Sequence, residues 1–165
     1  LWVPHKLQTQ VDFMVAQGSP FSYAQYQQMT PDGVLFGDPL PIPRTLNYKQ
    51  LLKTCPIGCL TAMYDTNFLG KQYMPDLPKG QDYALWLQIL RQVPFAHGIE
   101  QVLGYYRTGG KSLSSNKLSK AISIWHLYRH VEAFSLLRSS LYMIRFCFMY
   151  AQKARHLRAP IRVER

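Results

Sequence analysis

Charge is scarce in this chain of 165 residues, at 17% of positions, and acid is scarcer still, with nine Asp and Glu against nineteen Lys and Arg. Cysteine is rare as well. Cys55, Cys59 and Cys147 are odd in number and form no CxxC pair, which argues against a disulfide framework and a zinc ribbon and fits a reducing compartment. A phosphate cradle of the P-loop or dinucleotide kind is missing, because Gly109-Gly110-Lys111-Ser112 lacks the glycine five residues earlier. There is no internal repeat, and the first residues have no basic n-region followed by an apolar h-region, so no secretory signal is expected. What is present is ample apolar material, 47% of residues with 13% aromatic, enough for the packed core of one domain and too much for a wholly disordered chain.

The formal charge of +10 is unevenly placed. Through residue 100 seven acids balance seven bases, whereas the remainder carries twelve bases against Glu132 and Glu164. The chain opens with Leu1 instead of Met, which leads us to expect further sequence upstream.

Pro4 suits a first helical turn, and Leu7, Val11, Met14 and Val15 follow at helical spacing up to Gly18-Ser19-Pro20. Phe21–Tyr26 reads as a strand and Thr30-Pro31-Asp32-Gly33 as a turn. Pro39, Pro41 and Pro43 make residues 37–44 an extended connector, and Tyr48–Lys53 reads as a short helix. The apolar run Ile57–Met63 predicts a buried strand. After the loop Pro75–Gly80, a helix is predicted over Gln81–Arg91, with Tyr83, Trp86, Leu87 and Leu90 on one face. A strand around Val102–Tyr106 precedes a flexible loop from Gly109 through Ser115.

The last third reads as two helices. Ala121, Ile124, Trp125, Tyr128 and Val131 line a face of the first, and Ser135 is placed to cap the second. The second is apolar on almost every side except for a stripe of Arg138, Arg145 and Gln152. Its apolar stretch Leu141–Ala151 extends only about 16 Å, too short to span a bilayer. Such a helix calls for burial against protein or lipid.

Asp82, at the mouth of the Gln81–Arg91 helix, is either a helix N-cap or a carboxylate on the rim of a cleft, accepting a proton from a substrate hydroxyl. His126 and His130 have a zinc-compatible spacing, but Leu127 stands where the metalloprotease motif needs Glu, and no third ligand is evident. Arg107 with Lys111 and Ser112 could grip a phosphate, or could form a solvated turn. The basic, aromatic last third fits attachment to an anionic membrane surface, or core packing with a basic tail. Nucleic-acid binding is disfavoured, because the aromatics fall on apolar helix faces instead of interleaving with bases on one exposed surface.

The segment Gly80-Gln81-Asp82-Tyr83-Ala84-Leu85-Trp86-Leu87 resembles the family 2 inverting glycosyltransferases of GT-A fold, which carry an acidic pair or Arg-Gln-Asp followed by x-x-Leu-Trp-Leu. Four further segments agree in order. Leu1-Trp2-Val3-Pro4-His5-Lys6-Leu7 is similar to the stretch just after the family's Asp-x-Asp metal motif, and Phe21–Tyr26 with Asp32-Gly33 to the next strand and turn. Ile57–Met63 is similar to the strand lining the cleft, and Val102–Arg107 with Ser112-Leu113-Ser114 to the Leu-x-x-Tyr-Arg…Ser segment. The ending, Tyr128-Arg129 through Ser139, looks like the helical tail of bacterial members that build surface polysaccharide. Gln81 departs from the commoner acidic first member of the pair.

The resemblance implies an α/β fold, a partial GT-A-type mixed sheet with flanking helices over residues 1–115. A basic amphipathic helical hairpin or tail over 116–158 and a disordered end at 159–165 would follow. It implies Asp82 as catalytic base, with Gly58, Cys59, Thr61, Gln81, Trp86, Arg107, Lys111 and Ser112 as substrate-binding candidates. The nucleotide-binding half and the Asp-x-Asp site are expected to lie outside this chain, so a divalent ion (Mn or Mg) is expected only in the full-length protein. The implied partners are a nucleotide-sugar donor, UDP-linked, and a saccharide or lipid-linked acceptor. The implied place is cytoplasmic, peripheral on the inner face of the plasma membrane. An inactive remnant and a basic membrane- or nucleic-acid-binding module are the rival readings.

Overall fold

The computed structural model describes residues 1–109 and 117–156. The fold is α/β: a mixed sheet of five strands, helices on both faces, and a helical C-terminal segment. Two long strands form its spine. β1 (Phe21–Met29) and β5 (Ala96–Arg107) run parallel, from Ser22 opposite His97 to Met29 opposite Arg107, with register shifts around Gln25. Parallel strands need both faces covered, and Phe21 to Ala24 are accordingly buried without a break. The Thr30–Val34 turn returns the chain as β2 (Leu35–Phe36) along one edge. The proline-rich connector leads to β3 (Thr45–Leu46), antiparallel to β5 on the other side.

Helix α1 (Lys6–Gln17) lies on one face of the sheet, near a small cluster of Val3, Ala24, Ile99 and Leu103. The side it packs inward is Lys6, Gln10 and Met14, whereas Leu7, Val11 and Val15 are exposed. Gln10 is held in the interior because its side-chain amide donates to Ser22 Oγ at 3.1 Å and to the Thr61 carbonyl at 2.7 Å.

The main core lies on the opposite face. Helix α2 (Tyr48–Leu51) opens on an Asn47–Gln50 capping box. After a short helix α3 (Thr66–Leu69), helix α4 (Gln81–Ile89) buries Tyr83, Ala84, Leu85, Trp86, Leu87 and Ile89, more than the single face its periodicity predicts. Helix α5 (Lys117–His126) continues into a π-helical turn, Leu127–Val131, and then α6 (Leu136–His156). Ile124, Leu127, Tyr128, Phe134 and Phe146 from this C-terminal segment join the same core as α4. Glu132 pins the junction: its buried carboxylate accepts from Tyr48 Oη and pairs with Arg91.

One expectation is corrected here. Ile57–Met63 is not a strand. Cys59–Thr61 forms a 3-10 turn, and only Met63–Tyr64 (β4) pairs, antiparallel to the start of β1. The turn is drawn in by Thr61, whose hydroxyl lies 2.9 Å from the Ala24 carbonyl and 3.1 Å from that of Gly58. The last helix runs 21 residues, about 32 Å, and so extends beyond the apolar stretch Leu141–Ala151. No helix among the described residues is long and apolar enough to cross a membrane. The end expected to be disordered, 159–165, lies outside the described residues.

Candidate functional site

Parallel α/β sheets tend to gather ligands beyond the carboxyl ends of their strands. Here a cleft of about 840 Å³ opens over the C-terminal halves of β1 and β5, into which Tyr26, Gln28 and Tyr106 project. Alternation along β1 puts Tyr26 and Gln28 on one face, and the parallel register sets Tyr106 opposite Gln28. The Tyr26 and Tyr106 rings lie 5.9 Å apart. One wall is the turn segment Ile57, Gly58, Cys59 and Leu60; another is the start of α4; a third comes from α5 and α6, with Lys120, Ser123, Ile124, Phe146 and Tyr150.

Gly80 enters α4 in the left-handed region, at φ 79°, and is the helix N-cap. Asp82 is therefore not the cap. It sits within the first turn, and its Oδ1 accepts the backbone N–H of Tyr83 at 2.8 Å. The carboxylate is half-buried in the cleft wall and is the one acid among the lining residues. One fixed acceptor in a cleft lined by tyrosines suits proton abstraction from an alcohol. Among the described residues no three His, Cys, Asp or Glu are grouped to hold an ion. The rings of His126 and His130 lie tilted against each other, centroids 4.4 Å apart.

Lys120, counted in the sequence only as charge, enters the cleft with its Nζ 4.6 Å from the centre of the Tyr150 ring. Burial lowers its pKa, while the charges of Cys55 and Asp82 act the other way. Partial burial, reinforced by the Asp82 charge, pushes the Cys59 thiol up, so it is a neutral wall group rather than a nucleophile near pH 7. Lys79 at the loop before α4 donates to Ser119 Oγ at 2.7 Å, tying that loop to α5.

Of the sequence candidates, the structure brings Gly58, Cys59, Gln81 and Asp82 together in the cleft. Thr61 is fully buried behind it, holding the turn to β1. Trp86 is core: it packs on Phe21 at 5.4 Å, and its indole N–H has no acceptor among the described residues. Arg107 is exposed at the end of β5 and does not line the cleft. Lys111 and Ser112 lie outside the described residues. A smaller apolar groove of about 410 Å³ adjoins the cleft, sharing Leu40 and Thr54 with it.

No family model matches the chain. Curated proteins do. Over 154 residues the chain is 34% identical to TuaG of Bacillus subtilis, named as a glycosyltransferase of teichuronic acid biosynthesis, covering 93% of this chain and 59% of TuaG. Over 161 residues it is 33% identical to WfaP of Escherichia coli, a UDP-Glc:alpha-D-GlcNAc-diphosphoundecaprenol beta-1,3-glucosyltransferase, covering 92% of this chain and 62% of WfaP. WfgD of Escherichia coli, named with the same activity, is 31% identical over 126 residues, 76% of this chain and 49% of WfgD. The chain thus spans about half to three-fifths of the length of these relatives.

Proposed function

Since this chain is homologous to bacterial glycosyltransferases along most of its length, we propose that it is the acceptor-side part of a family 2 enzyme of GT-A type that builds surface polysaccharide. The reaction proposed is transfer of a hexose from a nucleotide-sugar, UDP-linked, to a saccharide on a lipid carrier. The names of WfaP and WfgD, which carry a UDP-glucose donor and a diphosphoundecaprenol acceptor, support that choice of substrates. Work on such an acceptor would be done at the inner face of the membrane.

The observation that carries the reading is Asp82, anchored by the Tyr83 N–H and facing an open cleft. In the proposed step the acceptor hydroxyl gives its proton to the Asp82 carboxylate. Its oxygen attacks the anomeric carbon from the face opposite the diphosphate. The carbon–oxygen bond to the diphosphate breaks, the pair leaves with UDP, and configuration inverts. Lys120, held beside Asp82 in the same cleft, supplies positive charge for an anionic substrate group. The Tyr26 and Tyr106 rings offer flat apolar surface for a sugar ring.

A divalent ion, Mn or Mg, would neutralise the departing diphosphate. Among the described residues no three His, Cys, Asp or Glu are grouped to hold it, so Asp-x-Asp ligands would have to come from sequence outside this chain. The test is transfer of labelled glucose from UDP-glucose to a diphosphopolyprenyl-linked GlcNAc by the complete gene product, with the new linkage read by NMR. A β-linked product from the α-configured donor is expected. An α-linked product would contradict inversion, and hydrolysis without transfer would contradict the acceptor.

A further inference from the structure

The helix that closes one side of the cleft has a second face. Phe146 and Tyr150 of α6 line the cleft, and Ser139 is buried beside them. On the opposite side Leu137, Leu141, Ile144 and Phe148 recur at intervals of four, three and four residues, forming one continuous stripe. These side chains are 73%, 56%, 67% and 63% exposed. Large side chains at such spacing normally point into a core; here they point away from one. Arg138 and Arg145 run along a flank of the stripe. From Ala133 to Val163 the sequence contains no Asp or Glu, while Arg138, Arg145, Lys153, Arg155, Arg158 and Arg162 supply positive charge.

We propose that α6 is an interfacial helix whose Leu137–Leu141–Ile144–Phe148 stripe docks this chain on an anionic membrane surface. The stripe enters the acyl boundary, and the flanking arginines meet lipid phosphates. Charge decides between this occupant and a second copy of the chain. Pairing two α6 stripes would bring the Arg138 and Arg145 columns together with no acidic partner on either helix, whereas an anionic leaflet neutralises both. The helix rests on the surface and does not cross it. Since the inward face of α6 lines the cleft, the cleft would lie about one helix diameter, 10–12 Å, from the lipid boundary. A lipid-borne substrate then needs little travel. Docking itself is independent of any transfer chemistry.

The experiment is co-sedimentation of the chain with vesicles of phosphatidylcholine, with and without phosphatidylglycerol. Binding is expected to the anionic vesicles and to fall with salt. The double substitution Leu141→Gln/Ile144→Gln is expected to lower the partition coefficient at least about tenfold, and Arg145→Gln about fivefold. All three positions are exposed, so circular dichroism should be unchanged. Equal binding by the wild type and the double variant would overturn the proposal. So would absence of vesicle binding, either with a dimer that Leu141→Gln/Ile144→Gln dissociates or with RNA binding that Arg145→Gln weakens.

Discussion

The ring of Tyr26 lies against the α-carbon of Gly58 so closely that a methyl group built there would come within 2.7 Å of Cε1. This contact joins the β1 wall of the cleft to its turn wall, and it needs a residue without a side chain. Gly58 has an ordinary φ of −82°, so the requirement is space, not backbone freedom. Gly58→Ala should push the Tyr26 ring towards Tyr106 and narrow the cleft. We expect about 1–3 kcal/mol of destabilisation, typical of overpacking, with a raised KM for acceptor or donor. Thermal unfolding and steady-state kinetics measure the two parts separately.

Thr61→Val separates support of the cleft from contact with substrate. The hydroxyl is buried and satisfied by the Ala24 and Gly58 carbonyls. Its loss leaves the buried Ala24 carbonyl without that donor, at a cost of about 1–3 kcal/mol. At about 2–4 °C per kcal/mol for a domain of this size, the melting temperature should fall by several degrees. The KM values of the folded enzyme should barely move. A large rise in KM without a thermal change would instead mark Thr61 as a substrate contact.

Lys120→Met tests the cationic wall. An ammonium that meets an anionic substrate group is worth about 1.5–3 kcal/mol, so kcat/KM should drop roughly 10- to 100-fold. Lys120→Arg should restore part of it by keeping the charge. If the methionine variant turned over normally, Lys120 would be a packing residue over Tyr150.

Alkaline pH should loosen the core. Burial raises the pKa of Tyr23, Tyr83 and Tyr128, and burial with the Glu132 hydrogen bond leaves Tyr48 pushed up to about 12. In the unfolded chain these phenols titrate near 10. The folded state therefore holds more protons above pH 10, and stability should be full below that pH and decline as it rises towards 12 and beyond. Absorbance at 295 nm should show these four groups ionising late and together with unfolding. Independent titration near pH 10 in the folded protein would contradict their burial.

Much of this was legible in the sequence. The aromatic strand Phe21–Tyr26, the Asn47-capped helix and the Pro/Gly loop before α4 all carry local signals, and each element forms. The misread Ile57–Met63 run is apolar enough for a strand. Its shape depends on Tyr26 and Ala24, more than thirty residues away, and no local pattern reports them. Lys120 was missed for a similar reason. A lysine on a helix reads as solvated, and only the packing of α5 against α6 brings it over Tyr150. Asp82 read as a cap or a base, with spacing favouring the cap. Gly80, whose left-handed backbone places the cap two residues upstream, removes the cap reading and leaves the base as the proposal.

The measurement that bears most directly on the account is the turnover of Asp82→Asn in the complete gene product, beside its thermal unfolding. Asparagine keeps an acceptor oxygen for the Tyr83 N–H but cannot take a proton from an alcohol. Transfer should fall by about 10²- to 10⁴-fold, the usual worth of a positioned base, with the melting temperature nearly unchanged. Near-normal transfer by a stably folded Asp82→Asn protein would contradict the assignment of the base and the reaction built on it.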